Sequence, residues 1–379
     1  MTKRVSQLNR HNLKFARQLR GYSSNDLAQK MGIKYPATIS NWETGKRSPD
    51  FLSINKLSEI LRVPYNFLIN TESYSDENSV TLFRGPANTT KKVKLSFERK
   101  IDLYGKFISN LSKIINLPPF EFTDLQCKNA DFKMTNDDKI SQIAYNVRKK
   151  FGLGNGPIRN VTAFLERNGI FVVFTNDDSG VNALTKKIDG RYIVLLNIAN
   201  QSSARVRFSL AHELGHILLH INYKSNDLND KNQFRRMETE AHYFASCLLM
   251  PEEGFLLDVV SPTLGGLVNI KPHWKSSVQS MAVRLNQLGI INEIQKVNIF
   301  RELSRKYSRK AEPFDFGENR IPYEYPSLVN AIYEHLDGAM DKSLEIKGFK
   351  NNFIQNEFLG LKLTNKQDSI DTKPNLYIV

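Results

Sequence analysis

A multidomain, mainly α-helical protein is predicted for this chain of 379 residues: an all-α N-terminal domain, an α+β domain and a helical C-terminal extension. Three observations predict it. Residues 9–70 hold short apolar-periodic segments punctuated by Gly and Pro. A continuous β-branched and aromatic run, Ile170-Phe171-Val172-Val173-Phe174, reads as a buried strand. Two long stretches after it, 205–220 and 235–251, carry apolar residues at helical spacing. With 40% hydrophobic and 24% charged residues the chain falls in the ordinary globular class. The net charge of +14 favours a polyanionic partner. Two cysteines, Cys127 and Cys247, are too few for a disulfide framework, and Cys247 reads as a buried free thiol. The N-terminus lacks an apolar signal region and no stretch approaches 18 apolar residues, so a cytoplasmic location without membrane contact is expected.

Five short helices account for residues 9–70. Leu13, Phe15, Ala16 and Leu19 mark the first, closed by Gly21. Ser23 or Ser24 caps a second that stops at Met31-Gly32. The third begins near Tyr35-Pro36 and runs to Gly45, with Pro36 tolerated in the first turn. Ile54, Leu57, Ile60 and Leu61 make the fourth, and Tyr65 to Leu68 the fifth. Short helix, Gly-containing turn, short helix is the helix-turn-helix pattern, with the second of the pair as the reading helix. Residues 1–70 hold 12 Lys and Arg against 4 Asp and Glu, a local net of +8 that suits phosphate contact. Tyr35, Ala37, Thr38 and Asn41 occupy the outward face of the third helix. Asn41 can pair with adenine, and Ala37 or the Thr38 methyl can touch a thymine methyl. Lys46 and Arg47, just past the helix, reach phosphate. Double-stranded operator DNA is the expected partner, and a homodimer is one arrangement such a domain uses.

Residues 71–92 are polar with breakers and read as a linker holding one strand-like piece, Val80 to Phe83. Lys94 to Leu117 is a long amphipathic helix stopped by Pro118-Pro119, and the whole of 71–137 is assigned to linker and helix.

The α+β domain is expected over 138–260. Two helices end at Gly152 and at Asn168-Gly169. The 170–174 strand follows, then strands at Ala183-Leu184 and Tyr192 to Leu196 around the turn Asp189-Gly190. An edge strand of this small mixed sheet can add a peptide by main-chain pairing. The next helix carries His212-Glu213-Leu214-Gly215-His216. Residues four apart share a helix face, so both imidazoles can address one point, and Glu213 stands beside it. Neutral imidazole suits Zn²⁺, with the glutamate taking a proton from a zinc-activated water.

A third ligand is expected from 235–251, where Ala241, Phe244, Ala245, Leu248 and Leu249 form an apolar stripe ended by Pro251. Glu240 lies one turn before Phe244 on that face, where a carboxylate is costly to bury unless a cation meets it. Glu238 and His242 compete for the position; Glu238, two residues away, is expected on another face. His220 reads as a helix C-terminal histidine favoured by the helix dipole.

Arg207-Phe208-Ser209-Leu210-Ala211-His212-Glu213-Leu214-Gly215-His216-Ile217-Leu218-Leu219-His220, followed by Glu238-Thr239-Glu240-Ala241-His242-Tyr243-Phe244-Ala245-Ser246-Cys247-Leu248-Leu249-Met250-Pro251, resembles the ImmA/IrrE family of metallo-endopeptidases. The likeness extends more loosely from about 138 to 325. It implies a zincin-like metallopeptidase fold, Zn²⁺ as cofactor, His212, His216 and Glu240 as ligands, and Glu213 as general base. Ile39-Ser40-Asn41-Trp42-Glu43 with Gly45-Lys46-Arg47 and Pro49 resembles the phage-repressor (XRE) type of helix-turn-helix. The stretch Trp274 to Leu285 resembles the helix that follows in longer ImmA/IrrE proteins, so 261–345 is expected as a helical extension and 346–379 as a tail.

The expected function is a cytoplasmic DNA-binding regulator fused to a zinc endopeptidase that cleaves a regulatory protein, such as a repressor or a toxin-module protein. His242 is the candidate donor to the developing oxyanion. Two alternatives use the same fold: a sensor that cuts nothing, and the antitoxin or immunity half of a mobile-element module.

Overall fold

The computed structural model describes residues 8–72, 81–84, 90–128, 132–177, 180–223, 230–307, 311–335 and 350–363. The chain divides into two units, 1–78 with 87–116 and 326–379, and 79–86 with 117–325.

In the first unit α1 (Arg10–Leu19), α2 (Ser24–Met31), α3 (Ala37–Thr44), α4 (Phe51–Leu61) and α5 (Tyr65–Ile69) reproduce the five expected helices. Ser23 caps α2 in a reciprocal box with Asp26, and Gly32 and Gly45 close α2 and α3 in the left-handed conformation. Leu13, Ala16, Leu27, Ile39, Leu57 and Leu61 form the core. Arg17 grips Glu43 with two parallel hydrogen bonds of 2.6 and 2.8 Å, tying α1 to α3.

The long helix α6 (Lys91–Leu111) also belongs to this unit. It buries Phe97, Ile101, Tyr104 and Phe107, and the Ser96 hydroxyl donates to the Leu19 carbonyl at 2.7 Å. It ends six residues before the expected Leu117, because the chain turns at Ser112 rather than at the prolines. Residues 350–363 join the same unit: Phe353 packs edge-on against Phe67, with ring centroids 5.8 Å apart, and Phe358 against Tyr104 at 5.3 Å. The compact units therefore depart from the expected bounds of 71–137, 261–345 and 346–379. The amphipathic face of α6 and the aromatic residues of 350–363 find their apolar partners on the N-terminal helices.

In the second unit a four-stranded sheet has the order β1-β3-β4-β2, formed by β1 (Thr81–Arg84), β2 (Ile170–Thr175), β3 (Ala183–Ile188) and β4 (Arg191–Asn197). β2 runs parallel to β4, and β3 runs antiparallel to both β1 and β4. The β3–β4 hairpin turns on Asp189 and Gly190, with φ of 46° and 79°; two positive angles in a row are what an Asp-Gly turn tolerates. The strand-like piece placed in the linker is thus the first strand of this sheet.

Two helices precede β2, α7 (Asp137–Lys150) and α8 (Val161–Arg167), and α8 packs against β2. At the centre of the unit runs α9 (Ser203–Leu219), which buries residues on every side and is accordingly its core helix. Its neighbour is α10 (Lys231–Leu249). After α11 (Glu252–Asp258) come α12 (Leu264–Trp274) and α13 (Val278–Gln287); the helix expected over Trp274 to Leu285 is α13, which begins at Val278 because α12 ends at Trp274. Lys275 at φ 50° breaks the first, and Ser277 caps the second. Lys271, fully buried, meets Glu312 at 2.8 Å and Asp315 at 2.6 Å, and Glu312 also accepts from the Val278 amide at 2.7 Å. Arg207 of α9 pairs with Glu324, which accepts from the first amide of α8. No helix among the described residues is long and apolar enough to cross a membrane.

Candidate metal centre and nucleic-acid interface

On α9 the i, i+4 spacing brings the Nε2 atoms of His212 and His216 to 2.9 Å from each other. A carboxylate from α10 closes the cluster. It is Glu238: its Oε1 lies 3.0 Å from His216 Nε2 and its Oε2 3.6 Å from His212 Nε2. Burial pushes the Glu238 carboxyl up, but the two imidazoles outweigh it and hold the group well below the usual carboxylate range.

The expected third ligand, Glu240, is elsewhere. It is buried, as anticipated, but its oxygens are met by His220 Nε2 at 3.1 Å, the Thr135 amide at 2.9 Å and Arg236 at 3.0 Å. Burial raises its carboxyl, and these partners lower it below the ordinary value. Its desolvation is offset by these hydrogen bonds and by the Arg236 guanidinium, so no metal ion is needed there.

His220 stands at the C-terminal cap of α9, as expected, but its contacts are with other side chains. It is fully buried, with Nδ1 2.9 Å from His216 Nδ1 and Nε2 on Glu240, and burial pushes its pKa down to about 4. A neutral ring has one N–H. If His220 gives its Nε2 proton to Glu240, its Nδ1 accepts from His216 Nδ1–H, and His216 Nε2 is left as a lone-pair donor facing His212 and Glu238. Nothing in the spacing of these residues singled out this chain of three; a buried histidine one turn past the pair was the available signal.

Gly215 sets the distance between the two helices. A Cβ at this position would stand 3.0 Å from Phe244 Cδ1 and 3.2 Å from the Ala241 Cα. The bare backbone lets α10 approach closely enough for Glu238 to reach the histidine pair.

Glu213 faces the sheet, where the Thr185 hydroxyl of β3 donates to its Oε2 at 2.6 Å. His242 stands at the site: its ring centroid is 4.4 Å from that of His212, and it stacks on Phe208 at 5.6 Å. His212, Glu238 and His242 also present ligand atoms within 4.8 Å of one another. A cleft of about 530 Å³ opens beside Phe208 and Ser209, lined by Asn182, Asn200, Gln201 and Arg205 among others.

In the first unit the residues expected to read DNA lie on one exposed side. Tyr35 and Ala37 are exposed, Thr38 and Asn41 half-buried, and Lys46 and Arg47 exposed. Ile39 and Trp42 are buried on the opposite side of α3. α3 starts at Ala37, so Tyr35 and Pro36 precede it.

Residues 165–286 match the IrrE N-terminal-like domain, and residues 13–68 match the helix-turn-helix family. The chain joins a helix-turn-helix domain to an IrrE N-terminal-like domain of metallopeptidase type. A comparison with curated proteins finds no match. The IrrE-like match spans β2 to α13 and so includes α9, α10 and the whole His212–His216–Glu238 cluster. The helix-turn-helix match supports DNA binding by the first unit.

Proposed function

We propose that the chain is a DNA-binding regulator whose IrrE-like domain is a zinc-dependent endopeptidase acting on a regulatory protein such as a repressor or toxin-module protein. One observation carries the reading: two imidazoles and one carboxylate from two helices meet, with His212 Nε2 and His216 Nε2 2.9 Å apart and the two Glu238 oxygens 3.0 and 3.6 Å from them. Ligand atoms of a tetrahedral zinc site lie roughly 3.3 Å apart, given metal–ligand distances of about 2.0–2.1 Å. The donor set fits, and His212, His216 and Glu238 would hold the ion; Glu240 would act behind them through His220. Zinc bound there supplies Lewis acidity, bringing a water near neutral pKa and polarising a carbonyl.

The protein groups supply the proton path and the positioning. Glu213, held by Thr185, takes a proton from the attacking water as the water oxygen bonds to the scissile carbonyl carbon. It then delivers that proton to the amine nitrogen as the C–N bond breaks. His242 flanks the cluster where a donor to the oxyanion is required. On the first unit, Tyr35, Ala37, Thr38 and Asn41 face base edges while Lys46 and Arg47 meet phosphates.

The test is metal analysis of the purified chain together with incubation against repressors or toxin-module proteins encoded beside it. One zinc per chain and a cut that disappears in Glu213→Gln, with zinc retained, is the expected result. Zinc without any cut would leave a metal-stabilised sensor.

A further inference from the structure

The sheet edge beside the catalytic glutamate is already filled, and by a segment from the interdomain stretch. β1 lies antiparallel to β3, pairing Thr81 with Lys186, Leu82 with Thr185, Phe83 with Leu184 and Arg84 with Ala183. Thr185 is the residue whose hydroxyl holds Glu213 at 2.6 Å. A strand in the β1 position therefore runs one strand spacing, about 4.8 Å, from the residue that touches the general base. The other edge is β2, on the far side of β4, and all six of its residues are buried. Of the two edges, only that of β3 combines access for an added strand with nearness to the site.

We propose that the β3 edge, Ala183 to Lys186, is the peptide-binding edge of this domain and that β1 occupies it as an intramolecular place-holder. The proposal rests on the endopeptidase reading above. An extended substrate would add to β3 by main-chain pairing in the antiparallel sense that β1 shows, and β1 must leave first. Among the described residues its hold is main-chain pairing at four positions, Thr81 to Arg84. The flanking sequence, Asp76-Glu77-Asn78-Ser79-Val80 before it and Gly85-Pro86-Ala87-Asn88 after it, is mostly polar. Main-chain pairing over four residues is what a competing strand can replace. Because β1 lies in the stretch between the two halves of the first unit, whatever pulls on that stretch acts on the edge.

The experiment uses the full zinc-loaded chain and a fluorescein-labelled peptide, Ser-Val-Thr-Leu-Phe-Arg-Gly-Pro, copying residues 79–86. Leu82→Pro removes a main-chain donor and disrupts β1 pairing. Expected are at least ten-fold tighter peptide binding than in the unaltered chain and faster amide exchange at 183–186, with protection across 203–249 unchanged. A second variant, Thr81→Cys with Lys186→Cys, locks β1 by a disulfide across a facing pair. It should refuse the peptide until reduced. Equal binding by the unaltered, disrupted and locked chains overturns the proposal, as does a cut of the chain within 81–84, which would make β1 a substrate. If Leu82→Pro does not fold, the locked variant alone decides. Binding as expected with no cleavage of any peptide would sustain the edge and sink the endopeptidase reading.

Discussion

His216 and His220 face each other through their Nδ1 atoms, 2.9 Å apart, and His220 passes the contact on to Glu240 at 3.1 Å. This arrangement assigns the half-buried Glu238 and the buried Glu240 of α10 different places. Glu238 joins the histidine pair directly, and in the proposed metal site Glu240 would orient His216 through one intervening ring.

The two glutamates should separate in a metal-competition titration. Glu238→Gln removes a donor and is expected to abolish stoichiometric zinc. Glu240→Gln or His220→Leu is expected to weaken zinc by about 10–100-fold, the usual effect of losing an outer-shell partner. Full zinc in Glu238→Gln with none in Glu240→Gln would return the ligand role to Glu240.

Gly215→Ala tests the close approach of α9 and α10. Alanine gains about 1 kcal/mol of helix propensity over glycine. Overpacking a tight contact costs about 1–3 kcal/mol. The neighbours at 3.2 and 3.3 Å are backbone atoms of Ala241, which cannot rotate away, so crowding should win. Expected are a lower midpoint of denaturant unfolding and weaker zinc binding together. A more stable variant with unchanged zinc affinity would show that the helices have room to spare.

Lys271 is buried with two carboxylates around it. Lys271→Met leaves both without a cation and should cost about 3–5 kcal/mol, the penalty for breaking a buried pair from one side. Adding Glu312→Gln and Asp315→Asn in the same chain should recover part of it. Chemical denaturation measures both variants; a loss below about 1 kcal/mol in Lys271→Met would deny the pair its structural weight.

Acid should loosen the cap of α2. Asp26 is held down to about 2 from the usual 3.8, first by Lys92 at 2.5 Å and then by Ser23. A carboxyl with a lowered folded pKa stabilises fully above the unfolded value and loses that contribution as pH falls through the folded one. The difference in melting temperature between the unaltered chain and Asp26→Asn should therefore be constant above about pH 5 and shrink toward pH 2. A difference that grows on acidification would contradict the sign.

For DNA, Asn41→Ala should cost about 1–3 kcal/mol at one base pair and relax preference there. Lys46→Ala and Arg47→Ala should weaken binding to all sequences alike, each lowering the salt slope by about 0.9. Fluorescence anisotropy at several salt concentrations separates the two patterns. Unaltered slopes would remove Lys46 and Arg47 from the phosphate contacts.

Much of this was legible in the residues. Helix spacing placed His212 and His216 on one face, and the Gly and Ser punctuation of 9–70 located five helices almost to the residue. The choice between Glu238 and Glu240 was not legible. It depends on how α10 is rotated against α9, which Gly215 and Phe244 decide by contact across 29 residues of sequence. Glu240 does meet a cation, but it is the Arg236 guanidinium one turn earlier on the same helix, joined by Thr135 and His220 from distant parts of the chain, which the sequence did not bring together. The strand-like piece at Val80 to Phe83 was read, but its place in the sheet as β1 was not, for a similar reason. Four residues in a polar stretch carry little pattern, and the pairing that makes them a strand lies about a hundred residues away at β3.

The order of segments in the two units has a practical outcome. The backbone passes between them four times, at 78/79, 86/87, 116/117 and 325/326. A single genetic breakpoint therefore cannot transplant either one whole. A fragment stopped after α5 would expose the apolar face of α1 that α6 covers, and one begun at Leu117 would lack the strand beside β3. Such a protein is inherited as a unit or not at all, and shuffling its DNA-reading end onto another enzyme would demand several coordinated joints.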